Sequence, residues 1–557
     1  MIHEFVTNYI NLWDSKIIKL NKERIQLIKL IKKEIVPQLK TGEVYFDDKQ
    51  IEQCVRFIER WYFPLKDFQR FIIAFVFLME KNDNPNYRDK AYFKEFLIMM
   101  GRGGGKNGFI SAITHYFLSE LHGIDKYDVS IVANSEEQAK TSFEEIYNIV
   151  DSKEVLKKAF RITKTEIESR KTRAKLKFKT SNAKTKDGGR EGAVIFDEIH
   201  EYENALLVNT LRRGLGKVPH DRTFYIGTDG YVREGYLDNL KNVANNILDG
   251  EAPGSRMFPF ICKLDNEKEV FEEENWPKAN PMFEHPLSEY ADNLLDVVRT
   301  EYASFGYDST ARADFMTKRM NLPEEDLEKI VAPFEVIKRG TNKPMPLLNN
   351  RQAIVGIDFA TTRDFTAAGF LFKIDGKFVW HTHSWARKEF LDKTSLGPPI
   401  EEWEKEGLLT IVDAPTLSPE LMADWVRDES KRLNIKVKKV MVDRFRYDLV
   451  KPAFDKVNLE VELLRFMPSV HAQVAPIVEI AFNNEQIIWG DNPLMRWYTN
   501  NTAVKIKKDG NKEYIKKDEV RRKTDGFNAL IHALFKVNEI SDRNVKKSID
   551  YMKRMLG

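Results

Sequence analysis

Four glycines fall within residues 101–105, between an apolar run at residues 96–100 (FLIMM) and Lys106-Asn107. Apolar residues then return at helical spacing, at Phe109, Ile110, Ile113 and Phe117. The pattern reads as a buried strand, a loop almost without side chains, and a helix start. That is the construction of a phosphate-binding loop. Glycine lets backbone N–H groups close round a polyphosphate, and the helix dipole and Lys106 add positive charge. Two positions depart from the usual pattern: Met100 stands at the place of its first glycine, and Asn107 at the place of its Ser or Thr. A plain glycine turn closing a strand is the alternative for this loop taken alone.

Downstream, residues 193–196 (AVIF) form an apolar stretch that ends in Asp197 and Glu198. An NTPase needs such a strand end opposite its phosphate loop: Asp197 would hold Mg²⁺ through water, and Glu198 would orient and deprotonate the attacking water. An Asp-Glu pair also suits a helix start, where the dipole favours acids. A further strand at residues 223–227 ends at Thr228, placed to sense a γ-phosphate. Upstream, Gln69 follows Phe68; its amide offers a donor and an acceptor with which to read adenine. An ordinary helix-surface glutamine is the other reading.

The C-terminal third starts afresh. Residues 353–358 (AIVGID) form an apolar strand ending in Asp358, followed by a second strand in FATTRDFTAAGFLF and a third at residues 378–382. Residues 440–443 (VMVD) repeat the motif and end in Asp443. Asp525 heads an amphipathic helix with Phe527, Leu530, Ile531, Leu534 and Phe535 on its inner face. Strand ends and helix starts gather at one edge of a sheet, so the three aspartates can converge on a metal pair. Hard oxygen ligands suit Mg²⁺ or Mn²⁺, and two such ions cut phosphodiesters in line. Singly, each Asp is more often a cap or turn residue; together they point to an RNase H-like nuclease.

The expected fold class is α/β. Residues 1–62 form a helical N-terminal segment. A P-loop ATPase with a mostly parallel sheet occupies 63–330, including a helical lid at about 236–322. A linker at 331–350, marked by Pro333, Gly340, Pro344 and Pro346, precedes an RNase H-like nuclease at 351–540 and a basic tail at 541–557. The longest apolar run, residues 71–79, is too short to span a bilayer, and MIHEFVTNYI lacks the features of a signal peptide. Two cysteines exclude a disulfide framework or a Cys-rich metal site.

The formal net charge of +3 conceals a strong asymmetry. Residues 161–190 hold eleven basic and three acidic residues, and residues 501–557 hold fifteen and eight, so the rest of the chain carries −12. Two basic stretches on an acidic protein suggest polyanion contacts whose affinity falls steeply with salt; solvated lysine-rich faces are the alternative.

GRGGGKN with its preceding strand, VIFDEIHEY after AKTKDGG, NWPKANP, VGIDFATTRDFTA and KTDGFNALIHAL occur in this order along the chain. The ordered set resembles the large terminase subunit of tailed bacteriophages. The resemblance implies a motor that drives double-stranded DNA into a procapsid with ATP, fused to an endonuclease that cuts concatemeric DNA. It implies that Gly103, Gly104 and Gly105 cradle the phosphates, that Lys106 binds the β- and γ-phosphates, and that Arg102 steadies transition-state charge. Gln69 would read adenine, Asp197 would serve Mg²⁺, and Glu198 would be the catalytic carboxylate. Asp358, Asp443 and Asp525 would form the nuclease triad, with Asp364 as an accessory metal acid. Asn107 replaces a Mg²⁺-ligating hydroxyl, and Asn528 stands where some members have another acid. The implied partners are a portal protein on the procapsid, a small terminase subunit and further copies in a ring, commonly five. The implied location is the host bacterial cytoplasm rather than the mature virion.

Three other classes remain open on the sequence. Residues 197–200 have the D-E-x-H form of helicases and remodelling ATPases, which would require a second ATPase lobe. An RNase H-like recombinase with a nucleotide-gated N-terminal half is another, and a DNA-binding structural protein with a degenerate loop, supported by Met100 and Asn107, is the third.

Overall fold

The apolar run before the glycines is a strand, β1 (Glu95–Met99), whose last four residues are buried. The computed structural model describes residues 1–542 except 134, 181–188, 203–205, 232–234, 307–308, 324–329, 395, 397, 508–509 and 518–521. The chain divides into two units, Met1–Glu324 and Glu325–Gly557.

In the first unit β1 joins β2 (Asp128–Ala133), β3 (Lys175–Thr180), β4 (Glu191–Phe196), β5 (Arg222–Gly227) and β6 (Met257–Ile261). Their order across the sheet is β6-β1-β5-β4-β2-β3, all parallel, and two short antiparallel strands complete the β3 edge. β4, β5 and β6 are buried throughout, which is why the apolar residues of β4 and β5 run on consecutively rather than alternating. All strand ends point one way, so the loop after β1, Thr228 after β5 and Asp197 after β4 lie along one sheet edge, with Thr228 between the other two.

The expected helical lid is corrected by β6, which lies inside it and pairs with β1. The N-terminal segment is likewise no separate body: Val6, Leu27, Ile28, Ile51 and Ile58 share one apolar cluster with Phe96 and Ile98. Arg24, 1% exposed, anchors it. Its guanidinium donates to Glu284 Oε1 at 2.9 Å and to the carbonyls of Pro277 and Lys278 at 3.0 and 3.2 Å.

The second unit holds β7 (Gln352–Asp358), β8 (Thr366–Ile374), β9 (Lys377–Arg387), β10 (Leu409–Val412), β11 (Lys436–Asp443) and β12 (Val461–Leu464). Their order is β10-β9-β8-β7-β11-β12. β7-β8-β9 is an antiparallel meander, and β11 and β12 run parallel to β7. The helix Asp525–Leu534 lies on β7 so closely that a Cβ on Gly356 would come within 1.9 Å of the Ala529 carbonyl oxygen. Glycine at 356 therefore sets the approach of Asp525 to the end of β7. The stretch expected as a linker carries the helix Phe334–Thr341, and its Ile337 belongs to the second unit's core. Of the expected basic tail only residues 541 and 542 fall among the described residues.

Candidate active sites

The phosphate loop runs from β1 into the helix Lys106–Leu118, with Gly105 in the left-handed region at its head. Gly103 is also left-handed, and a Cβ there would meet Leu294 at 2.6 Å, so neither position accepts a side chain without strain. Met100 is buried beneath the loop, and a Cβ on Gly104 would stand 2.7 Å from its Cγ. Met100 thus fills space under the loop, against Gly104. Lys106 is 7% exposed, and its Nζ donates to the carbonyls of Met100 at 2.8 Å and Gly101 at 3.3 Å. Burial lowers the Lys106 ammonium to about 8, against the pull of Glu198 and Asp197. The NWPKANP segment holds the loop from the other side, where Gly101 N donates to the Ala279 carbonyl at 2.8 Å.

Asn107 Nδ2 donates to Asp197 Oδ2 at 3.0 Å, joining the helix start to the acid at the end of β4. Asp197 is 1% exposed; burial and the neighbouring Glu198 push its carboxyl up to about 7. Glu198 has φ +49° in a non-glycine residue, a conformation that costs about 1–2 kcal/mol. Its Oε2 is buried without a hydrogen-bond partner and lies 3.2 Å from His200 Nδ1, which is equally unpartnered. Lys318 Nζ stands 2.7 Å from His200 Nε2. An ammonium only donates, so Nε2 accepts and the ring proton sits on Nδ1, facing Glu198. Burial, then Lys318, Lys106 and Arg102, hold His200 down to about 3 and keep it neutral. Gly230 makes room for this ring: a Cβ there would lie 2.7 Å from His200 Cδ2.

Other expected residues are placed less directly. Arg102 faces Asp314 at 3.4 Å, and its backbone N donates to the Lys318 carbonyl at 2.7 Å. Thr228 Oγ1 donates to the Asp229 carbonyl at 2.9 Å. Gln69 is buried, and its Oε1 accepts from Lys66 N at 2.9 Å, so one of the two groups suited to reading a base already serves the helix start. Lys318 was missed in the sequence, where it is one lysine among many.

In the second unit β7 and β11 pair in register, Gly356 with Met441, which sets Asp358 and Asp443 at neighbouring strand ends. Asp358 Oδ2 accepts from Asn528 Nδ2 at 2.9 Å, and Asp443 Oδ1 accepts from Phe445 N at 2.7 Å and Arg446 N at 3.2 Å. Asp525 is 3% exposed with Oδ2 unpartnered. Burial and the charges of Asp364 and Asp358 raise its carboxyl well above the usual range, and burial also raises that of Asp358. Asp364 is neutralised by Lys516 and by Lys523 at 3.1 Å. Among the described residues no three His, Cys, Asp or Glu side chains close on one ion-sized position. The donor set still fits a hard divalent cation: the unpartnered buried oxygen of Asp525 and the carboxyl of Asp358 are hard oxygen donors that a bound cation would hold ionised.

The basic stretch at residues 161–190 is more neutral in the fold than in the sequence. Lys175 and Lys177 share Glu166, Lys179 pairs with Glu191, Lys171 with Glu120 and Arg173 with Glu168. Further along, Lys507 pairs with Glu513 and Lys512 with Glu479.

Comparison with known proteins assigns the two halves. Residues 67–246 match the family model of the terminase large subunit ATPase domain, and residues 254–540 that of the terminase large subunit endonuclease domain. The terminase large subunits of Lactococcus phages SK1 and p2 are each 24% identical over 93% of this chain and 98% of their own length. The crystal structure of the HK97 bacteriophage large terminase covers 87% of this chain and 99% of its own, at 18% identity and a TM-score of 0.48. With one model on the phosphate-loop half and the other on the aspartate-bearing half, the chain belongs to the terminase large subunit family, the phage DNA-packaging motors that join an ATPase to an endonuclease.

Proposed function

We propose that Lys106, Asn107, Asp197 and Glu198 run the ATPase and that Asp358, Asp443 and Asp525 run the endonuclease. The observation that carries the first assignment is the Asn107–Asp197 bond, which ties the phosphate loop to the acid strand. Lys106 and the backbone N–H groups of Gly103, Gly104 and Gly105 bind the β- and γ-phosphates of ATP. Asn107 and Asp197 would hold Mg²⁺, which when bound would supply charge that neutralises the transferred phosphoryl group. Glu198 orients the attacking water and takes its proton, while Arg102 steadies the charge that develops. Gln69 serves adenine through its free amide hydrogens, and Thr228, between the two strands, senses the γ-phosphate.

At the nuclease Asp358, Asp443 and Asp525 take two divalent ions, Mg²⁺ or Mn²⁺, with Asp364 as an accessory acid once its lysines yield. Ions held there would supply Lewis acidity for the attacking water and for the leaving oxygen. Both halves act on double-stranded DNA: the first moves it at the expense of ATP and the second cuts it. Translocation requires copies arranged as a ring, in number five, on the portal of a procapsid, with DNA delivered by a small terminase subunit. The work takes place in the host cytoplasm; among the described residues no helix is long and apolar enough to cross a membrane.

In vitro packaging tests this directly. With procapsids and ATP, wild-type protein should shelter DNA from added DNase. Glu198→Gln should bind a fluorescent ATP analogue yet shelter nothing; wild-type turnover by that variant would refute the ATPase assignment.

A further inference from the structure

β11 and β12 pair in parallel register, with Asp443 opposite Leu464. Each of these residues is followed by the same doublet, Arg444-Phe445 after Asp443 and Arg465-Phe466 after Leu464. The sheet edge that carries Asp358 and Asp443 therefore presents two Arg-Phe pairs leaving adjacent strands at the same level. Phe445 is 85% exposed and Phe466 65%. Of the chain's 36 phenylalanines, only these two and Phe271 stand out as exposed among the described residues, and Phe271 rests edge-on against Phe305. Arg444 and Arg465 are exposed and have no carboxylate partner among the described residues, unlike the paired lysines of the sequence's basic stretches. Arg446 is used internally, its Nε donating to the Phe359 carbonyl at 3.0 Å.

We propose that the two Arg-Phe pairs are a base-engaging platform for the DNA strand being cut, with Phe445 and Phe466 stacking against unstacked bases and Arg444 and Arg465 holding the flanking phosphates. The proposal rests on the nuclease reading of Asp358, Asp443 and Asp525. Apolar side chains wedged at a base step unstack and kink a duplex, and an aromatic face receives any base, so such a platform distorts DNA without reading its sequence. Arginines on the flanking phosphates fix register and carry no sequence information. Asp525 is deeply buried and Asp358 half-buried, so a smooth duplex reaches them less readily than a strand lifted from its stack. Phe445 N donates to Asp443 Oδ1, so the loop that grips DNA also sets the orientation of a metal carboxylate.

Full-length protein is mixed with a short duplex carrying 2-aminopurine, using Ca²⁺ to bind without cutting and Mn²⁺ to cut. The wild type should raise 2-aminopurine fluorescence on binding; an unchanged signal from a duplex that binds and is cut overturns the platform. Phe445→Ala with Phe466→Ala should abolish the rise and cut the duplex at least tenfold more slowly, yet cut a duplex with a pre-unpaired bubble within about twofold of wild type. Tyrosines at both positions should restore duplex cutting. Equal loss on both substrates, normal cutting of the duplex, or a change only in sedimentation (a protein–protein surface) would each contradict the proposal. Arg444→Ala with Arg465→Ala should lower the slope of log affinity against log salt by about 2, since each phosphate contact contributes ~0.9; an unchanged slope counts against it. Asp358→Ala should keep the fluorescence rise and lose cutting of both substrates. If that variant cuts, the nuclease reading fails, whatever the platform does.

Discussion

Asn107 Nδ2 lies 3.0 Å from Asp197 Oδ2, so the amide that replaces the usual hydroxyl reaches the acid at the end of the neighbouring strand. A hydroxyl at this place would both donate to the acid and ligate a cation. An amide divides those tasks between its nitrogen, already on Asp197, and its oxygen. Asn107→Ser should therefore keep ATP turnover within about threefold. Asn107→Ala removes the donor to Asp197 Oδ2 and leaves only Glu198 N on Oδ1 at 2.8 Å, a loss of about 1.5–3 kcal/mol for a bond to a charged group. The Mg²⁺ concentration for half-maximal turnover should rise about tenfold, read from a Mg²⁺ titration of ATP hydrolysis; an unaltered titration curve would remove Asn107 from the metal shell.

Lys318 reaches Glu198 by its charge and through His200 without a hydrogen bond to it, which makes it a positioning residue. Lys318→Met keeps the side-chain volume and removes the proton that fixes the His200 tautomer. With Nδ1–H no longer held toward Glu198, kcat should fall about tenfold while KM for ATP stays within twofold. A rise in KM with kcat unchanged would assign Lys318 to nucleotide binding instead.

Buried histidines give the first unit an acid limit. His115 is fully buried beside Tyr62, whose hydroxyl lies 2.9 Å from Nδ1, and burial lowers it from 6.5 to about 3. Its folded value lies below its unfolded one, so its contribution is complete above pH 6.5 and is lost as pH falls toward 3, at about 1.4 kcal/mol per unit. His115→Phe removes that term and keeps the edge-on contacts with Phe57 and Phe160. Between pH 6.5 and 5 the variant should lose about 2 kcal/mol less stability than wild type in urea unfolding; parallel losses would show that His115 is not the titrating group.

Asn528 donates to Asp358 where an acid would instead add a ligand. Asn528→Asp places two carboxylates in contact, which repel without metal and attract a hard cation with it. Metal-free thermal stability should drop, and the Mg²⁺ needed for half-maximal plasmid cleavage should fall about tenfold. If stability falls with no gain for Mg²⁺, position 528 lies outside the metal shell.

The features legible in sequence are those written in local pattern. Buried strands ending at Asp197, Asp358 and Asp443 were visible because a parallel strand covered on both faces is a continuous apolar run and its polar end breaks it. β6 was hidden by Pro259, which argues against a strand unless the strand lies at a sheet edge, as β6 does. The helix Phe334–Thr341 was hidden by Pro333, which reads as a breaker but stands at the helix N-cap, where the missing N–H costs nothing. Pairings across long separations leave no such trace. Glu120 and Glu191 neutralise Lys171 and Lys179 through the fold, Arg24 finds Glu284, and Lys318 meets His200. The His of the D-E-x-H form was a local signal for that last contact; its lysine partner had none.

The central claim is that one chain carries two separable chemistries, ATP hydrolysis at Lys106 and Glu198 and metal-dependent DNA cutting at Asp358. ATP turnover and Mn²⁺-dependent plasmid cleavage, measured in parallel on wild type, Lys106→Ala and Asp358→Ala, test it most directly. Lys106→Ala should lose turnover and keep cleavage, and Asp358→Ala should keep turnover and lose cleavage. Cleavage that survives Asp358→Ala, or turnover that survives Lys106→Ala, would contradict the account.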